Sequence, residues 1–290
     1  MKKIIILIPV YNDWESLEKL LAEINISIEN IKNIEFQCIV INDASTDPPP
    51  KTKVPSNISS LKIITMKENQ GHGRCNAFGV RYLSKNDDYD YVILMDGDGE
   101  DRPEEIKLLV EKAISISDIS VVAKRVKRSE GYFFQFLYQV HKIITLIFTG
   151  KNINFGNYSC LTKKDIKFLS SKKSLWSSFS GSIKYHIPKL NSINSIRGVR
   201  YFGPSKMSLF KLGIHSLSII SVFKSIVFVR SLILIFLISY LSKFIGIFVI
   251  ILQLCLVLFG LLIFLVSLRE NEKDFLNSDR NQGEVKVYTH

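Results

Sequence analysis

The stretch Leu94-Met95-Asp96-Gly97-Asp98-Gly99-Glu100-Asp101-Arg102-Pro103-Glu104 decides how the rest of the chain is read. It continues the apolar run Tyr91–Met95, which has the length and continuity of a strand buried on both faces. Two glycines then turn the chain, and Pro103 with Glu104 and Glu105 supplies the first turn of a helix. Asp96, Asp98, Glu100 and Asp101 thus gather at the carboxyl end of a strand, where open α/β sheets bind ligands. Carboxylates this close repel one another unless a proton or a cation intervenes. A hard divalent ion, Mg²⁺ or Mn²⁺, suits such oxygen ligands and commonly also holds substrate phosphates. An isolated Asp-x-Asp is more often a solvated acidic turn, so the surrounding chain has to decide.

Toward the amino terminus the same unit repeats. Lys3–Pro9 is a continuous apolar strand. Asn12 or Asp13 is placed to cap a helix whose Trp14, Leu17, Leu20, Leu21 and Ile24 recur at helical spacing. Phe36–Ile41 is a second strand running into Asn42-Asp43-Ala44-Ser45-Thr46-Asp47 and a proline-rich loop, Pro48–Pro55. Leu61–Met66 is a third, followed by Asn69-Gln70-Gly71-His72-Gly73-Arg74 and a helix from about Cys75 to Leu83. Beyond the acidic turn, a helix spans Pro103–Ser115 and a fifth strand Ile119–Ala123. This alternation predicts an α/β fold with a mostly parallel sheet flanked by helices and a nucleotide-type cleft. Polar clusters at Tyr11–Asp13, Asn42–Asp47, Asn69–Arg74 and Asp96–Glu100 all fall at strand ends.

The later chain has a different texture. Gly131–Phe148 is an aromatic-rich helix expected to pack on the sheet, with lipid contact as the alternative. Phe155-Gly156-Asn157-Tyr158 reads as a turn, Ile193–Ile196 and Val199–Phe202 as short strands, and Ser208–Phe223 as an interfacial helix. From Ile226 to Leu268 the chain is almost uninterrupted Ile, Leu, Val and Phe, about twice the 20 or so residues that one membrane helix needs. Two spans are expected, Ser225–Ser242 and Phe244–Leu268, with a tight turn at Lys243. The domain plan is therefore a catalytic domain at 1–207, an interfacial helix at 208–224, two transmembrane helices at 225–268 and a tail at 269–290. Lys224 and Arg230 at the entry, with Arg269, Lys273 and Arg280 after the exit, put the domain and the tail on the cytoplasmic side. The apolar start Ile4–Ile8 runs into Pro9-Val10-Tyr11-Asn12-Asp13 without a small-residue cleavage site, and is read as a strand.

The 290 residues carry a net charge of +11. That balance suits an anionic membrane surface and phosphate-bearing substrates. Nucleic acid is disfavoured, because no basic stripe interleaved with stacking aromatics and no reader motif occurs. Cys38, Cys75, Cys160 and Cys255 are widely spaced, unlike a disulfide framework or a zinc site.

Taken together, these motifs resemble family 2 glycosyltransferases of the GT-A fold, specifically polyprenyl-phosphate sugar transferases. Ile8-Pro9-Val10-Tyr11-Asn12 resembles their opening strand and turn. Asn42–Asp47 resembles a "DDGSxD" element with Asn for the first Asp and Ala for Gly, and Asn69-Gln70-Gly71 an "N-x-G" turn. Met95–Glu104 resembles their "DADLQ(D/H)PPE" run, and Arg200–Lys206 the "R-x-x-G-x-SK" element before the membrane segment. The resemblance implies inverting transfer of a sugar from a UDP- or GDP-sugar to a polyprenyl phosphate, at the bacterial inner membrane and for cell-surface glycans. By the same resemblance, Asp43 binds the base beside the Pro9–Tyr11 turn, with Asn69 and Gly71 near the nucleotide. Asp96 contacts the ribose or sugar side, and Asp98 holds the metal with Glu100. Arg200, Ser205 and Lys206 hold phosphates, and Arg125 and Arg128 are further candidates.

A polyprenyl phosphate is already an anion near neutral pH, so its oxygen attacks without a protein base. A sugar hydroxyl acceptor requires one, for which Asp101 or Glu104 is the candidate. For Arg200 and Lys206 the competing reading is juxtamembrane contact with anionic lipid. His72 is read as a loop residue without a partner. The alternatives are transfer to a lipid-linked saccharide or a lipid hydroxyl, and an inactive nucleotide-sugar-binding partner protein. A homo-oligomer is left open.

Overall fold

The computed structural model describes residues 1–50, 53–86, 88–116, 118–127, 132–204, 208–242 and 246–290, with backbone alone at 127 and 132–134. Arg128, Ser205, Lys206 and the expected turn at Lys243 lie outside the described residues.

Strand β1 (Lys2–Val10) is the centre of the molecule. Its residues Ile4 through Ile8 are at most 1% exposed, because both faces of the strand are covered. Ile4, Ile6 and Ile8 share a core with Leu17, Leu20, Leu21 and Ile24 of α1 (Trp14–Ile28). Ile5 and Leu7 share the opposite core with Ala77, Phe78 and Val80 of α2 (His72–Ser84). Each such Ile, Leu, Val or Phe side chain, fully buried, contributes about 1.5–3 kcal/mol. This period of two across a continuous apolar run is why the strand reads as uninterrupted hydrophobicity.

Parallel partners flank β1: β2 (Ile34–Asn42) on one side and β4 (Tyr91–Leu94) on the other, with β3 (Ser60–Met66) beyond β2. The chain therefore reverses its winding direction beside β1, and in such sheets the ligand crevice opens at that switch, outside the carboxyl ends of the strands. A 3₁₀ turn at Pro103–Glu105 leads into α3 (Ile106–Ser115), and then comes β5 (Val121–Lys127). Helix α2 begins three residues earlier than its expected start, and β5 lies about two to four residues later.

After α4 (Tyr132–Thr149) comes β6 (Phe155–Thr162), which inserts antiparallel between β4 and β5. This corrects the expected turn at Phe155–Tyr158. Gly156 is not a turn glycine: the Arg125 guanidinium lies 2.5 Å from where a Cβ would stand, so a side chain there would collide with it. Short helices α5 (Lys163–Leu169) and α6 (Phe179–His186) precede β7 (Asn191–Ile196), which pairs parallel with β5. The expected strand at Val199–Phe202 is absent. That segment spends its backbone donors on the acidic turn instead, as described below.

Helix α4 does not cover the sheet. It packs on α7 (Leu209–Ser221) and α8 (Lys224–Tyr240), and Arg230 of α8 donates to the Ile147 carbonyl at 3.0 Å, at the carboxyl end of α4. Phe136, Ile143, Leu146 and Ile147 stay exposed beside the exposed apolar faces of α8 and α9 (Phe248–Ser267). The helix that begins at Phe248 is long and apolar enough to cross a membrane, with mean hydropathy 3.2. The first expected span is not confirmed in the same way: α7 and α8 together pass as one apolar segment, bent by 86°.

The segment read as a tail returns to the sheet. Phe275 in α10 (Glu272–Leu276) is fully buried with its ring 6.0 Å from that of Trp176. Strand β8 (Gln282–Thr289) then pairs antiparallel with β3 and completes the sheet order β7-β5-β6-β4-β1-β2-β3-β8. At the base of the apolar segment, Lys224 Nζ meets Glu270 Oε2 at 2.5 Å, with the Glu270 side chain 5% exposed. That ion pair ties the entry of the segment to its exit.

Candidate active site

Beyond β4 the acidic turn is built mostly from its own backbone and carboxylates. Asp101 accepts from the Asp96 amide at 3.0 Å, and Asp98 from the Glu100 amide at 3.1 Å. Gly99 sits at φ +85°, a conformation that favours glycine, and the Tyr201 ring lies 2.4 Å from where its Cβ would be. Asn157 donates from Nδ2 to Asp96 at 2.9 Å, the reason β6 has to pass here. Arg125 lies 3.8 Å from Asp101.

Residues 196–202 form a basic strap across this turn. Gly198 donates its N–H to the Glu100 carbonyl at 2.8 Å, and Tyr201 to that of Asp98 at 2.9 Å. The Arg200 guanidinium bridges two carboxylates: it reaches Asp98 Oδ2 at 2.7 Å and also binds Asp13. Arg197 pairs with Glu100. Asp13 thus stands at the start of α1 without capping it; its carboxylate is used for Arg200.

The nucleotide side of the crevice is braced differently. Both oxygens of Asp43 take backbone donors from the β3–α2 turn, Gln70 N and Gly71 N, each at 2.8 Å. Asp43 N in turn donates to the Val10 carbonyl at 2.9 Å, so the ends of β1, β2 and β3 are locked together. Asn12 accepts from the Thr46 amide, and its own amide donates to Ser45 Oγ, both at 2.8 Å. Tyr11 is 41% exposed over this junction, and Asn69 is exposed beside it.

The electrostatics of the turn favour a cation. Burial and the neighbouring charges of Asp96 and Glu100 push Asp98 up to about 6, although Arg200 opposes them. Burial and Asp96 likewise raise Asp101, to about 7. For Asp96 burial also opposes the charge, but His72, the Asn157 amide, Arg125 and Arg197 outweigh it and hold the carboxyl below its ordinary value. A divalent ion relieves this repulsion, and Asp98 and Glu100 present the oxygen chemistry that Mg²⁺ or Mn²⁺ takes. Among the described residues no three His, Cys, Asp or Glu side chains form a metal cage. Two carboxylates completed by substrate phosphates are the usual arrangement for Mg²⁺, so the residues fit the ion.

The structure therefore brings Pro9, Tyr11, Asp43, Gly71, Asp96, Asp98, Glu100, Arg125 and Arg200 to one crevice. Arg128, Ser205 and Lys206 lie outside the described residues. Four participants carried no decisive signal in the sequence: Asn157 was hidden in an apparent turn, Arg197 in a basic cluster, Asp13 in a helix cap and His215 in an amphipathic helix. His72 does have a neighbour, the His215 ring, 6.0 Å away between centroids.

A mostly parallel sheet with a carboxylate turn at its switch point is an α/β ligand crevice, and the family comes from the sequence. Residues 5–179 match the profile of Glycosyl transferase family 2, and the chain belongs to that family. The undecaprenyl-phosphate 4-deoxy-4-formamido-L-arabinose transferase of Salmonella choleraesuis is 31% identical over 169 residues, and that of Proteus mirabilis 29% over 166. In both cases the match covers 56% of this chain and 48% of the relative, so the chain spans about half the length of the curated relatives it matches. Among solved structures, glucosyl-3-phosphoglycerate synthase from Mycobacterium tuberculosis, in complex with Mn²⁺, UDP-glucose and phosphoglyceric acid, superposes with a TM-score of 0.55. It shares 15% identity over 78% of this chain and 80% of its own, a likeness of fold. The fold is the expected GT-A fold.

Proposed function

We propose that this chain is a membrane-attached inverting glycosyltransferase that moves a sugar from a nucleotide-diphosphate-sugar to a polyprenyl phosphate. The carrying observation is the acidic turn under its basic strap, in which Asp98 is held by an arginine side chain that a cation and a diphosphate can replace. The names of the two curated relatives, both undecaprenyl-phosphate sugar transferases, support the acceptor class. The UDP-glucose and Mn²⁺ of the structural neighbour support the donor class and a divalent ion.

In this reading Asp43 and the Pro9–Tyr11 turn receive the base, with Asn69 and Gly71 beside it, and Asp96 faces the sugar. Asp98 and Glu100 would hold Mg²⁺ or Mn²⁺, and the ion would supply positive charge for the departing nucleoside diphosphate. Arg200, released from Asp98, and Arg125 bind phosphate oxygens, as do Lys206, Ser205 and Arg128. The acceptor's phosphate oxygen forms a bond to the anomeric carbon from the face opposite the leaving group. The bond from that carbon to the diphosphate oxygen breaks, and its electron pair leaves with the nucleoside diphosphate. No protein base is required, because the acceptor arrives ionised.

Both ends of the apolar segment support a two-crossing membrane arrangement. The entry packs on the catalytic domain through α7, and the exit returns to its sheet through β8. A single crossing separates those ends; two crossings, by α8 and α9, keep them together. At 17 residues α8 is about 26 Å long, close to the roughly 30 Å hydrocarbon thickness. The catalytic domain and residues 269–290 then face the cytoplasm.

The test is transfer from a panel of radiolabelled nucleotide-sugars into organic-extractable lipid, using undecaprenyl phosphate, Mg²⁺ or Mn²⁺, and Asp98→Ala alongside. Label in an acid-labile lipid that disappears in the variant supports the reading. Wild-type protein inert toward every donor with this acceptor overturns it.

A further inference from the structure

Three of the chain's five histidines, His72, His141 and His215, come together from three separate elements near Asp96. His72 opens α2, His215 lies midway along α7, and His141 is on α4 next to Thr145, with Nε2 3.5 Å from its hydroxyl. The His72 and His215 rings are tilted by 44° at 6.0 Å. His215 faces His72, Arg125, His141 and the opposing charge of Asp96, and His72 acts in turn on Asp96. One helical turn beyond His72, on the same face, Asn76 is 1% exposed with neither amide atom partnered. One turn beyond His215, Ser218 is 1% exposed and its hydroxyl also lacks a partner.

Buried polar groups left without partners, as at Asn76 and Ser218, are costly unless something satisfies them. The two helices that supply His141 and His215 are those whose neighbours carry the exposed apolar surface, so the cluster stands between the lipid side and the sugar side of the crevice. A phosphate monoester on an isoprenoid chain enters from that side. Its oxygens accept hydrogen bonds, and the nearby arginine adds charge.

We propose that His72 and His215, together with Arg125, form the seat of the acceptor's phosphate and hold its attacking oxygen toward the sugar beside Asp96. This rests on the lipid-phosphate acceptor of the proposed function. His72 and His215 come from α2 and α7, outside the Asp98–Glu100 turn, so their part in the seat is separable from the donor site by experiment. Burial pushes His215 down to about 4, with His72 and Arg125 adding to the effect, so the imidazole meets the phosphate as a neutral donor.

The experiment uses the full chain in detergent micelles with ¹³C-labelled histidine rings, assigned with His72→Gln and His215→Gln. Farnesyl phosphate, farnesol and inorganic phosphate are the probes. The His72 and His215 resonances are expected to move with farnesyl phosphate at a concentration about tenfold below that needed with inorganic phosphate, and to stay in place with farnesol. The same two variants are expected to raise the acceptor KM about tenfold while leaving the donor KM unchanged. Resonances that ignore farnesyl phosphate, that respond equally to farnesol, or that respond equally to inorganic phosphate overturn the seat, as does a change confined to the donor KM. Since the resonance measurement needs no turnover, shifts without transfer sustain the seat and overturn the transferase reading, and transfer without shifts does the reverse.

Discussion

Asp43 and Asp98 stand beyond β2 and β4, the two strands that flank β1, both largely withdrawn from water, and they are neutralised in opposite ways. Asp43 gives both oxygens to backbone amides of the β3–α2 turn. Asp98 gives one oxygen to a backbone amide and the other to the Arg200 side chain, which also binds Asp13. A carboxylate satisfied by backbone fixes the shape of a site. One satisfied by a long side chain can exchange its partner for an ion or a substrate without disturbing the fold. The same carboxylate chemistry thus supplies a brace on one side of the crevice and an exchangeable contact on the other.

The largest effect that would sharpen this contrast is Asp98→Ala. It is expected to reduce sugar transfer by about 10³-fold, the scale of lost transition-state charge stabilisation, while thermal melting shifts little. A melting loss as large as that of an Asp43 variant would break the comparison. Asp43→Asn is next. Its amide nitrogen would confront a backbone N–H, leaving a buried donor unpaired, and stability measured in urea is expected to fall by about 1–3 kcal/mol, with weaker donor binding. Arg200→Gln comes third. It leaves Asp98 and Asp13 without their shared cation, so Mn²⁺ binding followed by electron paramagnetic resonance, without nucleotide, is expected to tighten several-fold. Weaker Mn²⁺ binding in that variant would mean that Arg200 helps to build the ion site and does not occupy its place.

The smallest effect lies next to the brace. Ala44 takes φ +55° where the resembling element has glycine. The left-handed conformation costs a side chain about 1–2 kcal/mol, so Ala44→Gly is expected to raise the urea midpoint slightly. A lower midpoint would show that the methyl group packs usefully.

The brace was legible in the sequence and the exchangeable half only partly so. Lys3–Pro9, Phe36–Ile41, Leu61–Met66 and Tyr91–Met95 are continuous apolar runs because the parallel strands are covered on both faces, and the motifs follow each run directly. The acidic turn is likewise local. Its partners are remote: Asn157 lies 61 residues from Asp96, Arg197 lies 97 from Glu100, and Asp13 lies 187 from Arg200. No periodicity encodes such pairings. Gly156-Asn157 imitates a turn because the small residue makes room for Arg125, and the period-two pattern of Val285 and Val287 is too short to distinguish β8 from a tail. Helix α4 was read as a cover for the sheet because its apolar residues do not reveal whether protein or lipid faces them.

The most direct measurement compares undecaprenyl phosphate with undecaprenol as acceptors for the wild-type chain, using the donor that the nucleotide-sugar panel identifies. The account predicts acid-labile glycolipid from the phosphate and none from the alcohol, because no protein base is assigned to activate a hydroxyl. Transfer to the alcohol, or to a lipid-linked saccharide alone, would contradict it and would bring Asp101 and Glu104 forward as the base.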